Sequence, residues 1–110
     1  MLNNNLVYIK KSPIHGWGLF SQTHFLQNDI ITQSPGMIFG IGSYVPPELC
    51  EYTFPFPTGG LFLCLSHSNL INSSPNPNSI FEIDILNKIL TIKALHNIEP
   101  DEEITLHYMG

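Results

Sequence analysis

The stretch IFEIDILNKILTIK, residues 80–93, carries the strongest local signal in the chain. Apolar and polar residues alternate from Ile80 to Leu86, which is the period of a strand with one buried face. The residues expected inside are Phe81, Ile83 and Ile85, and those expected outside are Glu82 and Asp84. Asn87-Lys88 reads as a two-residue turn, after which Ile89–Lys93 returns, so the stretch predicts a β-hairpin.

Short strand-like runs lie on both sides of this hairpin, with Pro and Gly between them. They are Leu6–Lys10, Leu19–Ser21, Ile30–Gln33, Met37–Ile41, Leu61–Leu65 and Ile104–Tyr108. One short helix is expected from Pro46 to Tyr52, and no helical period lasts three turns elsewhere. Many short strands broken by turn residues predict a mostly β fold with little helix.

The chain also contains a faint internal similarity. The segment that begins at His24 and runs into Ile30-Ile31-Thr32 resembles the segment that begins at His96 and runs into Ile104-Thr105. This similarity gives mild support for two related β units within one domain.

Length and charge limit the kinds of function that the chain can have. With 110 residues it is expected to form a single domain over residues 1–110. The net charge is −5, and the basic residues are four lysines with no arginine. Direct binding to nucleic acid is therefore disfavoured, because affinity for phosphates comes mainly from Lys and Arg, and a basic protein is the better partner. The low content of charged residues, 12%, leaves much uncharged surface and favours a homodimer.

The two cysteines, Cys50 and Cys64, are too few for a disulfide framework. No signal peptide precedes Leu6, and no apolar run approaches the roughly 20 residues needed to span a membrane. We therefore expect a soluble intracellular protein with reduced thiols. Cys64 and His67 have a zinc-like spacing, but two further ligands are missing, so no metal site is predicted.

Three segments carry unusual combinations of residues. They are KSPIHGWGLF at 11–20, LINSSPNPN at 70–78 and DEEITLHY at 101–108. Taken alone, the first is typical of a hairpin turn with a packed tryptophan. The second is typical of a surface turn, and the third of an acidic turn that leads into an edge strand. The acidic pair Glu102 and Glu103 is expected to be solvated.

In this order, however, the three segments resemble the SET domain of protein lysine methyltransferases. That family has a Gly-x-Gly turn, then Asn-His-Ser-x-x-Pro-Asn, and closes on Gly-Glu-Glu-Leu/Ile-Thr-x-x-Tyr. The resemblance extends from Leu6 to Tyr108 and is closest to the short SET proteins of chlorella-type algal viruses, whose opening run matches Lys10-Lys11-Ser12-Pro13. It implies a β-clip type fold of several short sheets, in which the C-terminal strand threads under an earlier loop as a pseudoknot, a rare exception to unthreaded connections.

The resemblance also implies roles for individual residues. The cofactor would be S-adenosyl-L-methionine, held by the backbone of Gly16, Trp17 and Gly18 and by Asn72, with Ser73 contributing main chain. Tyr108 would be the catalytic residue, whose hydroxyl orients the lysine amine and the methyl group. Carbonyl groups within 66–70 would receive weak C–H···O contacts from that methyl. Tyr52 and Phe81 are candidates for the wall of the lysine channel, although Tyr52 could equally be an ordinary core aromatic and Phe81 is better explained as one.

The chain departs from the family pattern in three respects. Ser73 stands where the family has histidine, and Asp101 stands where it has a turn glycine. Only Met109 and Gly110 follow Tyr108, whereas relatives continue into a post-SET segment that supplies an aromatic wall of the channel.

The predicted function is that of a protein-lysine N-methyltransferase acting on a histone H3 tail or another basic protein. If the chain is viral, its expected location is the host nucleus or cytoplasm. The alternative is a non-catalytic SET-like module that binds a protein, and Ser73 and the short C-terminus favour that alternative.

Overall fold

The computed structural model describes residues 6–56 and 59–107, and within these ranges the chain is mostly β. The strands are β1 (Val7–Lys11), β2 (Trp17–Ser21), β3 (Ile30–Phe39), β4 (Thr53–Pro55), β5 (Leu61–Cys64), β6 (Asn72–Ser73), β7 (Ser79–Asp84), β8 (Ile89–Ala94) and β9 (Thr105–Leu106). The helix α1 (Pro47–Cys50) is a single turn, and a 3-10 turn covers His67–Leu70. No helix in the described ranges is long and apolar enough to cross a membrane.

The hairpin predicted at residues 80–93 is present, with β7 and β8 antiparallel. Phe81 and Ile83 face inward as expected, but Ile85 is 53% exposed, so its placement on the inner face was wrong. The reason is the length of the turn. Asp84 pairs with Ile89, which leaves a four-residue loop instead of two, and the Asp84 carboxylate accepts hydrogen bonds from Asn87 across it.

Strand β3 runs through Ser34-Pro35-Gly36, where the sequence suggested a break between two strands. Pro35 and Gly36 mark a change of partner. Residues up to Pro35 pair with β8, and those from Gly36 onward pair with β5. A Cβ on Gly36 would lie 2.3 Å from the Phe62 ring, so only glycine fits at this crossing point.

The largest sheet has the order β4-β5-β3-β8-β7, and a contact between its two edges indicates that it is curled. Its edge strands β4 and β7 are not hydrogen-bonded to each other, yet the rings of Phe54 and Phe81 pack edge to face with their centroids 5.2 Å apart. The curl encloses the core. The largest fully buried apolar side chains are Phe54, Phe62, Leu19, Ile31, Leu90, Ile92, Ile98, Ile104 and Leu106.

The two similar segments of the sequence lie against each other as related β units. Phe25 and Ile98 exchange backbone hydrogen bonds, and His24 Nε2 lies 3.4 Å from Glu99 Oε2 at the surface. Each unit has a residue at positive φ in its turn, Asn28 in the first and Asp101 in the second. The tight turn therefore tolerates Asp101 where the family pattern has glycine, because Asn and Asp enter this region more readily than other residues.

The closing segment 103–106 is threaded between parts of the chain that precede it by many residues. On one side β9 runs parallel to β6, with Asn72 opposite Thr105. On the other side Glu103 bridges to Phe20, and the Ile104 amide donates to the Leu19 carbonyl at 2.8 Å. This threaded strand is the knot-like feature of the fold, and it brings the three unusual sequence segments together.

Candidate functional site

The glycine turn, residues 12–18, consists of the loop that joins β1 to β2 and the first two residues of β2; it is exposed from Pro13 to Trp17, whereas Gly18 is buried. It is closed by a hydrogen bond from the Ser12 amide to the Gly16 carbonyl at 2.7 Å. Gly16 has φ of 49°, and a Cβ built there would meet nothing within 4 Å. Trp17 is 53% exposed, with the Lys11 ammonium 5.8 Å from its ring centroid. The turn therefore offers an open stretch of main chain beside a flat apolar face.

Asn72 is held directly against this turn. Its Nδ2 group donates to the carbonyl oxygens of His15 at 3.0 Å and Trp17 at 3.3 Å, and to Oε2 of Glu103 at 2.9 Å. Because all three neighbours are acceptors, the amide nitrogen must face inward. Among the described residues nothing donates to Asn72 Oδ1, so this oxygen is an available acceptor at the surface of the site.

Ser73 takes part through its main chain. It pairs with Leu106 in the parallel β6–β9 ladder, and the amide of the next residue, Ser74, donates to the Leu106 carbonyl at 2.8 Å. The Ser73 side chain is exposed. The ladder that fixes Asn72 therefore depends on the backbone here.

The acidic pair is a correction to the sequence analysis, because neither carboxylate is simply solvated. Glu102 accepts from the Glu99 amide and from Asn78 Nδ2, each at 3.0 Å. Glu103 accepts from Ser12 Oγ at 2.8 Å as well as from Asn72. The closing segment is threaded among polar groups from earlier segments, and a local reading of the turn could not anticipate those long-range partners.

Asn78 is a structural residue that the sequence analysis did not single out. It is 5% exposed, and its Oδ1 accepts from the Thr105 amide at 2.9 Å while its Nδ2 donates to the Glu103 carbonyl at 2.7 Å. It therefore clamps the threaded strand from the side opposite β2. Its place as the final Asn of the Asn-x-x-x-x-Pro-Asn pattern is the signal that could have identified it.

The two aromatic candidates for a channel wall lie on the curled sheet. Tyr52 comes just before β4 and is 36% exposed, and a hydrogen bond to the Glu51 carboxylate raises the pKa of its hydroxyl. Phe81 is half-buried against the core, where it packs on Phe54. Phe81 thus contacts β4, the strand that directly follows Tyr52. Tyr108, the proposed catalytic residue, lies outside the described residues.

A cluster of buried and half-buried hydroxyl groups supports the 3-10 turn. Ser68 Oγ lies 2.9 Å from Thr32 Oγ1, and Ser66 Oγ lies 2.7 Å from Ser34 Oγ. Two of the carbonyl groups expected to line a methyl path, those of Ser66 and Ser68, accept backbone hydrogen bonds from Asn69 and Ile71 in the turn. They are therefore held in fixed directions.

Beside this cluster, both ring nitrogens of His67 and Oδ1 of Asn69 are buried with no hydrogen-bond partner among the described residues. Burial lowers the pKa of His67 and favours its neutral form.

Cys50 and Cys64 are both free thiols. Within the described ranges no group of three or more His, Cys, Asp or Glu residues is placed to hold a metal ion.

Comparison with known proteins agrees with this arrangement. The chain is 30% identical to an Aspergillus oryzae protein named histone-lysine N-methyltransferase, H3 lysine-4 specific, over 93% of this chain but only 9% of that much longer protein. A crystal structure of a Plasmodium falciparum protein described as a candidate histone methyltransferase superposes with a TM-score of 0.82 at 30% identity. That match covers 96% of this chain and 95% of the other. The family model for the SET domain matches residues 16–109, which span the glycine turn, the Asn72 loop and the threaded strand, so the chain belongs to the SET-domain family.

Proposed function

We propose that this protein is a protein-lysine N-methyltransferase that uses S-adenosyl-L-methionine as its methyl donor. The observation that carries the proposal is the direct hydrogen bonding of Asn72 to the carbonyl groups of His15 and Trp17. It joins the two segments that would hold the cofactor into one rigid surface. Membership of the SET-domain family and the methyltransferase names of the relatives support the same activity.

The residues present fit this cofactor. Its methionine portion carries an ammonium group, and Asn72 Oδ1 is an acceptor that faces away from its three inward contacts. Gly16 has open space where a side chain would otherwise project. The exposed face of Trp17 adds an apolar surface that attracts a cation and excludes water.

When bound, S-adenosyl-L-methionine supplies an activated methyl group on a sulfonium sulfur. The glycine turn and Asn72 would hold the amino-acid end of the molecule, and the Tyr108 hydroxyl would orient the incoming lysine amine. Tyr52 and Phe81 would line the path of that lysine. An apolar path lowers the pKa of a lysine by desolvation, so more of the amine is neutral and nucleophilic.

The proposed substrate is a lysine in a basic protein, with the histone H3 tail as the first candidate. The net charge of −5 suits a basic segment. The Aspergillus relative is named for lysine 4 of H3, which supports the same choice. Closeness to viral SET proteins remains a prediction from the opening Lys10-Lys11-Ser12-Pro13 run.

The activity can be tested by incubating the protein with S-adenosyl-L-methionine and a panel of basic peptides that includes the H3 tail. Mass spectrometry should show a mass increase of one methylene per transfer, located on a lysine. Matched peptides with arginine at each lysine are the control. Tight cofactor binding with no methylated lysine in any peptide would instead favour a non-catalytic protein-binding module.

Replacing Asn72 by alanine is expected to weaken cofactor binding by about 1–3 kcal/mol. The change removes the outward acceptor and leaves the carbonyl groups of the glycine turn without their donor. Isothermal titration calorimetry on wild type and variant measures the difference. Asn76→Ala is the control, because Asn76 is exposed in the same loop. Equal affinities of Asn72→Ala and wild type would exclude Asn72 from the cofactor site.

We also propose that the protein forms a homodimer. The described surface includes large exposed apolar side chains, among them Ile41, Tyr44, Leu65 and Leu86. Since a chain of this composition carries few charges to oppose association, a dimer would cover part of this surface. Sedimentation velocity at micromolar concentration should give about twice the chain mass of 12.4 kDa. A single species of the chain mass would contradict the dimer.

A further inference from the structure

A single carboxylate connects all three segments of the site. Both oxygens of Glu103 lie 2.8 Å from Ser12 Oγ on the glycine turn, and Oε2 also lies 2.9 Å from Asn72 Nδ2. A Cβ on Gly18 would lie 2.5 Å from the same Oε2, so the glycine leaves room for the carboxylate. Within the described ranges no cationic side chain forms an ion pair with Glu103. The hydrogen-bond donors to its carboxylate are instead neutral groups of the site, Ser12 Oγ and Asn72 Nδ2.

This arrangement determines which way the Asn72 amide points. The oxygen and nitrogen of an amide have nearly the same size, so their positions depend on the surrounding hydrogen-bond partners. An ionised carboxylate can only accept, and a hydrogen bond to a charged acceptor is stronger than one to a neutral carbonyl. Glu103 also makes a shorter contact with Nδ2 than either His15 or Trp17 does. It is therefore the strongest single reason for Oδ1 to face outward.

We propose that Glu103 is a positioning residue for cofactor binding, which fixes the Asn72 amide with its oxygen outward and anchors the glycine turn through Ser12. This inference rests on the proposed function. Glu103 acts through Asn72 and Ser12 and does not itself touch the cofactor. A glutamine at this position would present an NH2 group as well as an oxygen, so the inward direction of Nδ2 would depend on the neutral carbonyl groups of His15 and Trp17 alone.

The test is calorimetric titration of S-adenosyl-L-methionine into wild type, Glu103→Gln and Glu102→Gln. Both variants remove one negative charge from adjacent positions, but Glu102 bonds to Asn78 and to the Glu99 amide instead of to Asn72. We expect Glu103→Gln to bind about tenfold more weakly and Glu102→Gln to stay within about twofold of wild type. Thermal melting of each preparation establishes that it is folded.

A double-mutant cycle separates positioning from general loss of structure. If Glu103 acts mainly through Asn72, then in an Asn72→Ala background Glu103→Gln should lose no more than the about threefold that comes from its contact with Ser12, so the two losses should be less than additive. Independent, additive losses would overturn the proposal, as would a folded Glu103→Gln protein with wild-type affinity. An equal loss in Glu102→Gln would also overturn it, because the effect would then follow charge alone.

A second variant keeps the proposal testable if Glu103→Gln does not fold. Ser12→Ala removes the other hydrogen-bond donor to the Glu103 carboxylate, and Ser12 is half-exposed on the turn. This variant should bind S-adenosyl-L-methionine about threefold more weakly than wild type. Wild-type affinity in folded Ser12→Ala would contradict the proposal. Failure of the wild type to bind the cofactor would instead overturn the proposed function, and this inference with it.

Discussion

Replacing Asn78 by alanine is expected to lower the free energy of unfolding by about 3 kcal/mol or more, enough to prevent stable folding if the wild type is marginal. Asn78 is almost fully buried, and its amide joins the Thr105 amide and the Glu103 carbonyl. Alanine cannot replace either bond. The Thr105 N–H and the Glu103 carbonyl would then stay buried without their partner, and each such loss costs about 1–3 kcal/mol.

Urea denaturation of Asn78→Ala and Asn76→Ala provides the comparison for this prediction. The two substitutions are chemically identical and fall in the same loop, but Asn76 is exposed. We expect Asn76→Ala to remain within about 0.5 kcal/mol of wild type. Equal losses in the two variants would mean that the amide of Asn78 does not hold the threaded strand.

The second large effect is expected at Tyr108, on which the proposed chemistry depends. Tyr108→Phe should retain cofactor affinity, because the ring is kept, and should lose about 10²-fold or more in turnover. The reason is the loss of the hydroxyl that we propose orients the lysine amine. Cofactor affinity and turnover must be measured on the same preparation so that a binding defect is not mistaken for a catalytic one.

The matched control for this prediction is Tyr44→Phe, which removes a hydroxyl from a tyrosine that is 78% exposed. Its turnover should equal that of wild type. A Tyr108→Phe protein that methylates at the wild-type rate would remove Tyr108 from the mechanism and would require another residue to orient the amine.

The local β structure could be predicted from the sequence because it depends on neighbouring residues. The alternation in residues 80–93 identified the β7–β8 hairpin, but the turn length was wrong, and with it the inward placement of Ile85. The sequence predicted the end of a strand at Pro35-Gly36, because proline and glycine usually interrupt strands. In the structure they lie where β3 changes partner, and that change depends on Phe62 and on the Lys88 carbonyl, both remote in sequence.

The candidate site could likewise be predicted only in part, because its motifs are local in sequence but the contacts between them are not. The resemblance selected Gly16, Gly18 and Asn72, and the structure joins Asn72 to the glycine turn by hydrogen bonds. The role of Glu103 could not be predicted from its neighbours, because a Glu-Glu pair in a turn is usually solvated. Its partners, Ser12 and Asn72, become adjacent only when the closing segment is threaded.

The threaded strand also constrains the order in which the molecule can be built. Residues 103–106 leave the ribosome after β2 and β6, the segments that they contact. Contacts between such distant parts of a chain form slowly, because the intervening chain must first lose its freedom. Until the strand is inserted, Asn72 lacks its charged partner and the glycine turn lacks its anchor. The proposed cofactor site should therefore be the last part of this domain to mature, and cofactor binding during synthesis would report that the domain has folded.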